Sequence, residues 1–187
     1  MNAEHSAQLR LLDLQAADTA LAQLAHRRRA LPEIARLAER DAQAAALGND
    51  IIDAETQASD SAGEQRRLEN EVDAVRARAA RDEQRMQSGG LPAKEIEGLQ
   101  HEVATLARRQ SNLEDDLLDV MEQREQADSA VTRLHAQRTT LDAERAELAS
   151  VRDAAFGEID ASATTRTGER ATIANQLPAD LLALYER

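Results

Sequence analysis

The sequence predicts an all-α protein built as a long, kinked antiparallel coiled-coil hairpin. Three observations carry that expectation. Aromatic residues make up 1% of the chain, Phe156 and Tyr185 with no Trp, while hydrophobic residues reach 42% mainly through alanine. A compact core draws on aromatic side chains with large buried areas, whereas abundant Ala, Leu, Glu, Gln and Arg suit long helices. Apolar residues also recur every seven positions on both sides of residue 90, and the only Gly-Gly pair, Gly89-Gly90, runs into Leu91-Pro92 where the two patterns meet. A length of 187 residues admits one globular domain, and 31% charged residues would admit disorder; sustained periodicity argues for the coiled coil over both.

The first element is a helix over 1–31, beginning near Asn2 or Ser6, either of which can cap free backbone N–H groups. Leu14, Ala17, Leu21, Leu24, Arg28 and Leu31 follow at alternating spacings of three and four, one narrow apolar stripe. Leu31-Pro32 ends it, because proline donates no helical hydrogen bond and fits only a first turn. A break or kink is expected there.

The hairpin occupies 32–175. In its first arm one set of core positions is Leu37, Ala44, Ile51, Ala58, Gln65, Val72, Ala79 and Met86; the other is Arg40, Leu47, Ala54, Ser61, Leu68, Val75 and Asp82. Eleven of these fifteen are apolar, four of them only Ala, so the seam is thin. Gly48 and Gly63 each weaken a helix by about 1 kcal/mol relative to Ala, so bending or fraying is expected near them. The tip spans 88–92. Ser88–Leu91 can close an antiparallel return and is too short for a parallel one. With the tip centred near 89–90, Pro32 should face roughly 147–151 and Leu68 roughly 110–113.

The return arm has the sharper pattern. Leu99, Leu106, Leu113, Val120, Ala127, Leu134, Leu141 and Leu148 are all apolar, accompanied by Ile96, Val103, Gln110, Leu117, Arg124, Val131, Arg138 and Arg145. A strict seven-residue repeat implies a left-handed supercoil with a partner helix, and the preceding arm is the natural partner. Beyond Leu148 the repeat slips to Val151, Ala155, Ile159, Ala163 and Ile173, with a polar run at 162–168 that should pack on the N-terminal helix. Leu177-Pro178 then opens a last element over 176–187, a helix start whose apolar face the sequence leaves unresolved and which reads as truncated.

Charge and residue usage bound the function. Net charge is −12, from 35 acidic and 23 basic residues. Nonspecific duplex binding needs a basic surface that releases counterions, so this chain is a poor candidate for it, and the basic runs His26-Arg27-Arg28-Arg29 and Arg108-Arg109 read as solvated helix faces. Cysteine is absent, which removes disulfides, thiol nucleophiles and cysteine-based zinc sites. No apolar run approaches the about 20 residues of a membrane span, and the N-terminus lacks a signal-peptide pattern; the expected location is the cytoplasm, with no membrane partner.

Enzymatic constellations are missing. His5, His26, His101 and His135 are scattered along helices without metal-ligand spacing, and no serine–histidine arrangement resembles a catalytic triad. The run Glu114, Asp115, Asp116, Asp119, Glu122 and Glu125 reads either as an acidic docking face or as the solvated outside of a coiled coil; a cation that wants six or more oxygens cannot be wrapped by one straight helix. The tip is the other candidate surface, since contacts often sit on loops presented by rigid scaffolds. The partner-binding residues so assigned, on tip and return helix, are Leu91, Pro92, Lys94, Glu95, Leu99, His101, Glu102, Arg108, Arg109, Glu114 and Asp115.

The run Pro92-Ala-Lys94-Glu95-Ile-Glu-Gly-Leu99-Gln100-His101-Glu102, then Leu106-Ala-Arg108-Arg109-Gln110-Ser111-Asn-Leu113-Glu114-Asp115, with Met121-Glu122 and Glu125, resembles the bacterial C4-type zinc-ribbon proteins that carry an N-terminal coiled-coil hairpin. Leu11-Leu12-Asp13-Leu14-Gln15 with Asp18, and Leu177-Pro178 with Leu184-Tyr185, resemble that family's flanks. The resemblance implies a non-enzymatic adaptor or chaperone-like regulatory arm, some relatives being linked to flagellar or secretion systems. In the family a four-cysteine ribbon follows the segment matching Leu184-Tyr185-Glu186-Arg187. This chain covers the hairpin only, so zinc and any nucleic-acid contact are expected only in a ribbon beyond it, and no cofactor within it. An alternative is a transcription regulator that inserts the hairpin into RNA polymerase, with Asp82, Glu83, Glu95 and Glu97 as an acidic tip. The seam's thin first arm leaves self-association open.

Overall fold

A computed structural model describes residues 5–186. The chain forms α1 (His5–Arg29), α2 (Pro32–Gln87), α3 (Ala93–Ala174) and α4 (Ala179–Tyr185), with no strand among the described residues. Helix α1 is already helical at Ser6, so Ser6 is not its cap; Asn2 lies outside the described residues. Helical structure stops after Arg29 and resumes with Pro32 as the first residue of α2, the position where a missing N–H costs nothing. Helix α2 runs unbroken through Gly48 and Gly63 and does not fray there, because seam packing holds the helix where propensity is weak.

The chain divides into two compact units, one of residues 45–139 and one of the residues up to 44 with those from 140 on. In the 45–139 unit, α2 and α3 lie antiparallel across the tip. Ile51, Leu68, Val72 and Val75 on α2 and Leu99, Leu106 and Ala127 on α3 are buried. Every expected seam position of this unit is withdrawn from solvent at least in part, except Arg124. That guanidinium reaches outward and donates to Gln65 Oε1 at 3.0 Å. Cross-helix ion pairs flank the seam: Arg109 to Glu71 at 3.9 Å on one side, Arg76 to Glu114 at 2.6 Å on the other. Their midpoints are residues 90 and 95, so the register is centred near Pro92 rather than at Gly89–Gly90. This moves the counterpart of Leu68 about one turn along α3, to the neighbourhood of Leu117. Exposed pairs of this kind contribute about 0–1 kcal/mol each, so they decorate a register that the apolar seam sets.

In the other unit α1 runs antiparallel to the end of α3. Arg28 Nε donates to Asp160 Oδ1 at 3.0 Å, Arg170 Nε to Asp18 Oδ1 at 2.6 Å, and Arg10 Nη1 to the Gln176 carbonyl at 3.0 Å. The start of α2 packs on α3 here too: Arg40 meets Glu144 at 3.4 Å and Arg145 clasps both Asp41 and Asp142. Leu14, with 0% of its surface exposed, joins Ala174, Leu177 and Leu181 in one cluster. The apolar face of the last element, which the sequence leaves open, is supplied by Leu177 and Leu181, which seat α4 on α1 behind its N-cap Pro178. Phe156 is flanked by guanidinium groups, Arg28 at 4.2 Å and Arg152 at 5.9 Å from the ring centre. Arg28 thus spends its charge on Asp160 and Phe156, while the cluster His26–Arg29 fills the last turn of α1, where cations favour the helix dipole.

Candidate functional site

The tip is built from two glycines and a proline. Gly89 and Gly90 adopt φ of 74° and 83°, a left-handed backbone that a side chain would strain, and they release the chain from α2. The Ser88 amide donates to the Gln84 carbonyl at 3.0 Å and its hydroxyl to the Arg85 carbonyl at 2.8 Å, closing the helix end. The Pro92 carbonyl accepts from the amides of Glu95 at 2.9 Å and Ile96 at 3.1 Å, so Pro92 caps α3. The turn presents Pro92 and Lys94 to solvent and leaves Leu91 half-buried.

The candidate residues separate into three groups. Lys94, His101, Arg108 and Asp115 are exposed, and Lys94 and Asp115 make no ion pair among the described residues. Glu95, Glu102, Arg109 and Glu114 are engaged across the hairpin. Arg85 Nη2 donates to Glu95 Oε1 at 3.3 Å, Arg78 binds Glu102, Arg109 faces Glu71, and Glu114 accepts from both Gln110 at 2.8 Å and Arg76. The Gln110 amide and the Arg76 guanidinium hold the Glu114 carboxyl below the usual carboxylate range. Leu99 stands alone. With 7% of its surface exposed it belongs to the seam, so it supports the surface and cannot be part of it while the hairpin is closed.

Two features stand apart from these groups. Asp82, expected both at a seam position and at an acidic tip, is 8% exposed, and its Oδ2 has no hydrogen-bond partner. Arg78 and Arg85, one turn away on either side in α2, are committed across the hairpin to Glu102 and Glu95 instead. With Asp82 withdrawn and Glu95 paired, only Glu83 and Glu97 of the expected acidic quartet stay exposed and unpaired. Its heptad position was the signal that Asp82 points inward. The second feature is Asp18, which binds Arg170 through Oδ1 and accepts the Tyr185 hydroxyl through Oδ2 at 3.0 Å. The Arg170 hydrogen bond, reinforced by Tyr185, holds the Asp18 carboxyl below its ordinary value against a smaller opposing effect of burial. Burial first, and the Asp18 carboxylate second, push the Tyr185 hydroxyl up. The triad joins α1, α3 and α4 and reads as a structural clasp.

No group of three His, Cys, Asp or Glu side chains among the described residues is placed to hold a metal ion. His135 Nε2 lies 3.0 Å from Glu55 Oε1, an exposed cross-helix contact. No helix among the described residues is long and apolar enough to cross a membrane.

Comparison with known proteins places this geometry. The family model of the CT398-like coiled coil hairpin domain matches residues 14–187. An uncharacterized protein of Mycobacterium tuberculosis, strain H37Rv, is 37% identical over 190 residues, which cover 100% of this chain and 76% of that protein. An uncharacterized protein of Mycobacterium leprae is 29% identical over 173 residues, covering 91% of this chain and 73% of the relative. A solved structure from Mycobacterium smegmatis superposes with a TM-score of 0.88 at 35% identity, covering 100% of this chain and 77% of that one.

Proposed function

The chain belongs to the CT398-like coiled coil hairpin family, and from that premise we propose that it is a non-enzymatic protein-interaction module, an adaptor or regulatory arm. Binding concentrates at the tip and the first turns of α3. The observation that carries this reading is the tip itself, where two left-handed glycines and a capping proline hold Leu91, Pro92 and Lys94 at the end of a paired helical scaffold. A rigid support lowers the ordering cost that a partner would otherwise meet on binding. Chemistry has no comparable support: apart from the buried Asp82, the titratable groups described above lie on exposed helix faces, in ion pairs or in the Asp18–Tyr185 hydrogen bond, and no three His, Cys, Asp or Glu side chains among the described residues gather to hold a metal ion.

The proposal extends to a cytoplasmic zinc-ribbon protein of which this hairpin is one part. Zinc and nucleic-acid contacts then belong to a ribbon, because this chain has no cysteine; two Cys-x-x-Cys pairs in the reading frame past Arg187 would support it, and their absence would remove it. The tip assignment is tested by affinity capture with the intact chain and with a Leu91→Ala/Lys94→Glu variant. The variant loses the partners the intact chain retains; identical partner sets would sink the assignment.

A further inference from the structure

Among the large apolar residues that the fold leaves exposed, two lie close together on α3. On α3 the residues Leu113, Leu117 and Val120 turn toward α2, yet Leu118 and Met121, on a different side of the same helix, are 63% and 45% exposed. They are three residues apart and so lie one above the other on one helical ridge. Asp115, Glu122 and Glu125, at three and four residues from these anchors, share the ridge, and Asp119 borders it. Asp115, Asp119 and Glu125 make no ion pair among the described residues, and Glu122 accepts only the Gln126 amide at 3.2 Å. Two cations at this level are already engaged, Arg76 held by Glu114 and Arg124 turned to Gln65 and Asp128, and Arg66 donates to the Ala62 carbonyl on its own helix.

The geometry points to the Leu118–Met121 ridge as a docking face for an amphipathic helix of another protein, one that carries two large apolar side chains a turn apart framed by lysine or arginine. This inference rests on the reading of the hairpin as a protein-binding module and adds to it the partner's chemistry and a second contact region. Charge complementarity selects the occupant. Uncompensated carboxylates around two apolar anchors repel nucleic acid and anionic lipid surfaces and attract a basic partner. The ridge runs at the i, i+3, i+4 spacing that a second helix can match by packing ridge against groove, and a continuous helix offers no free backbone edge for strand addition.

The test uses the full chain and a labelled synthetic lysine–leucine amphipathic helix of about five turns as the probe. Fluorescence anisotropy is read for the parent chain, for Leu118→Ser/Met121→Ser, and for Asp115→Asn/Glu122→Gln/Glu125→Gln. A peptide of the same composition with scrambled spacing is the reference. The ordered peptide binds the parent at least about tenfold more tightly than the scrambled one, and each variant loses about tenfold. Raising salt from about 50 to about 500 mM weakens the parent complex several-fold. Equal binding of the scrambled peptide, or full retention by the Leu118→Ser/Met121→Ser variant, overturns the assignment. A parent dimer in sedimentation that the same double variant dissolves also overturns it, giving the ridge to a second copy. Capture of partners by the tip alone, tested with the Leu91→Ala/Lys94→Glu variant, would survive any of these failures, which keeps the two readings separable.

Discussion

Replacing Asp82 with Leu should stabilise the hairpin. Asp82 occupies a core position of α2 in the same set as Leu68 and Val75, is 8% exposed, and leaves Oδ2 without a partner. A buried polar atom left unpaired costs about 1–3 kcal/mol, and filling the site with an apolar side chain adds part of the about 1.5–3 kcal/mol of a buried leucine. Overpacking in a narrow seam removes some of that gain, about 1–3 kcal/mol. The net expectation for Asp82→Leu is a gain of about 2 kcal/mol in the 45–139 unit. Asp82→Asn keeps the shape and the unmet oxygen, so it should gain less than half as much. Hydrogen exchange of amides in 72–106 reads the local free energy directly, without requiring the whole chain to unfold in one step. Protection in these turns should rise about tenfold or more in Asp82→Leu. Unchanged or lowered protection would show that Asp82 contributes favourably, through Arg78 or Arg85, and would refute the reasoning.

Other consequences follow from the same contacts. Gly63 is exposed and a Cβ there meets nothing, so Gly63→Ala should raise stability by about 1 kcal/mol in thermal unfolding. Gly89→Ala places a side chain at φ 74° and should cost about 1–2 kcal/mol, read as earlier unfolding of the same unit, although its Cβ has open space around it. The Asp18 clasp gives α4 docking a defined pH window. The lowered Asp18 carboxyl contributes stability above its unfolded value near 3.8, and that contribution is lost as pH falls through the lower folded value. The raised Tyr185 hydroxyl contributes fully below its unfolded value of 10.0 and loses its contribution as pH rises through the higher folded one. Tyrosine fluorescence, from the only Tyr in a chain without Trp, should report both limits, and Asp18→Asn should abolish the acid-side transition.

Much of the architecture is written in seven-residue periodicity. Leu68, Val72, Val75, Leu99 and Leu106 are buried because one stripe of each helix must leave water, and Pro32 and Gly89-Gly90 mark where that stripe cannot continue. What escaped prediction lies in long-range pairing. Asp18 is 152 residues from Arg170 and 167 from Tyr185, and no local pattern announces a hydrogen bond between them. The polar run at 162–168 stays mostly exposed, and Ile159, Ala174 and Leu177 bury themselves on either side of it. Register was legible only to within a turn, because a Gly-Gly-Leu-Pro turn does not reveal how many of its residues each helix absorbs. On the candidate surface, Lys94 and Asp115 are exposed and make no ion pair among the described residues. Leu99 does not, and the heptad that seats it in the seam already said so. Glu95, Glu102 and Glu114 were legible as charged and not as spoken for, since their cationic partners sit on the opposite helix.

The most direct test of the interaction-module account is site-specific photo-crosslinking in living cells. A photoreactive residue at Lys94, on the tip, is compared with one at Thr56, on the outside of the arm. The account predicts a discrete protein adduct from position 94 that position 56 does not give and that Leu91→Ala weakens. Adducts of equal yield from both positions, or none at position 94 while the chain is folded and abundant, would contradict it.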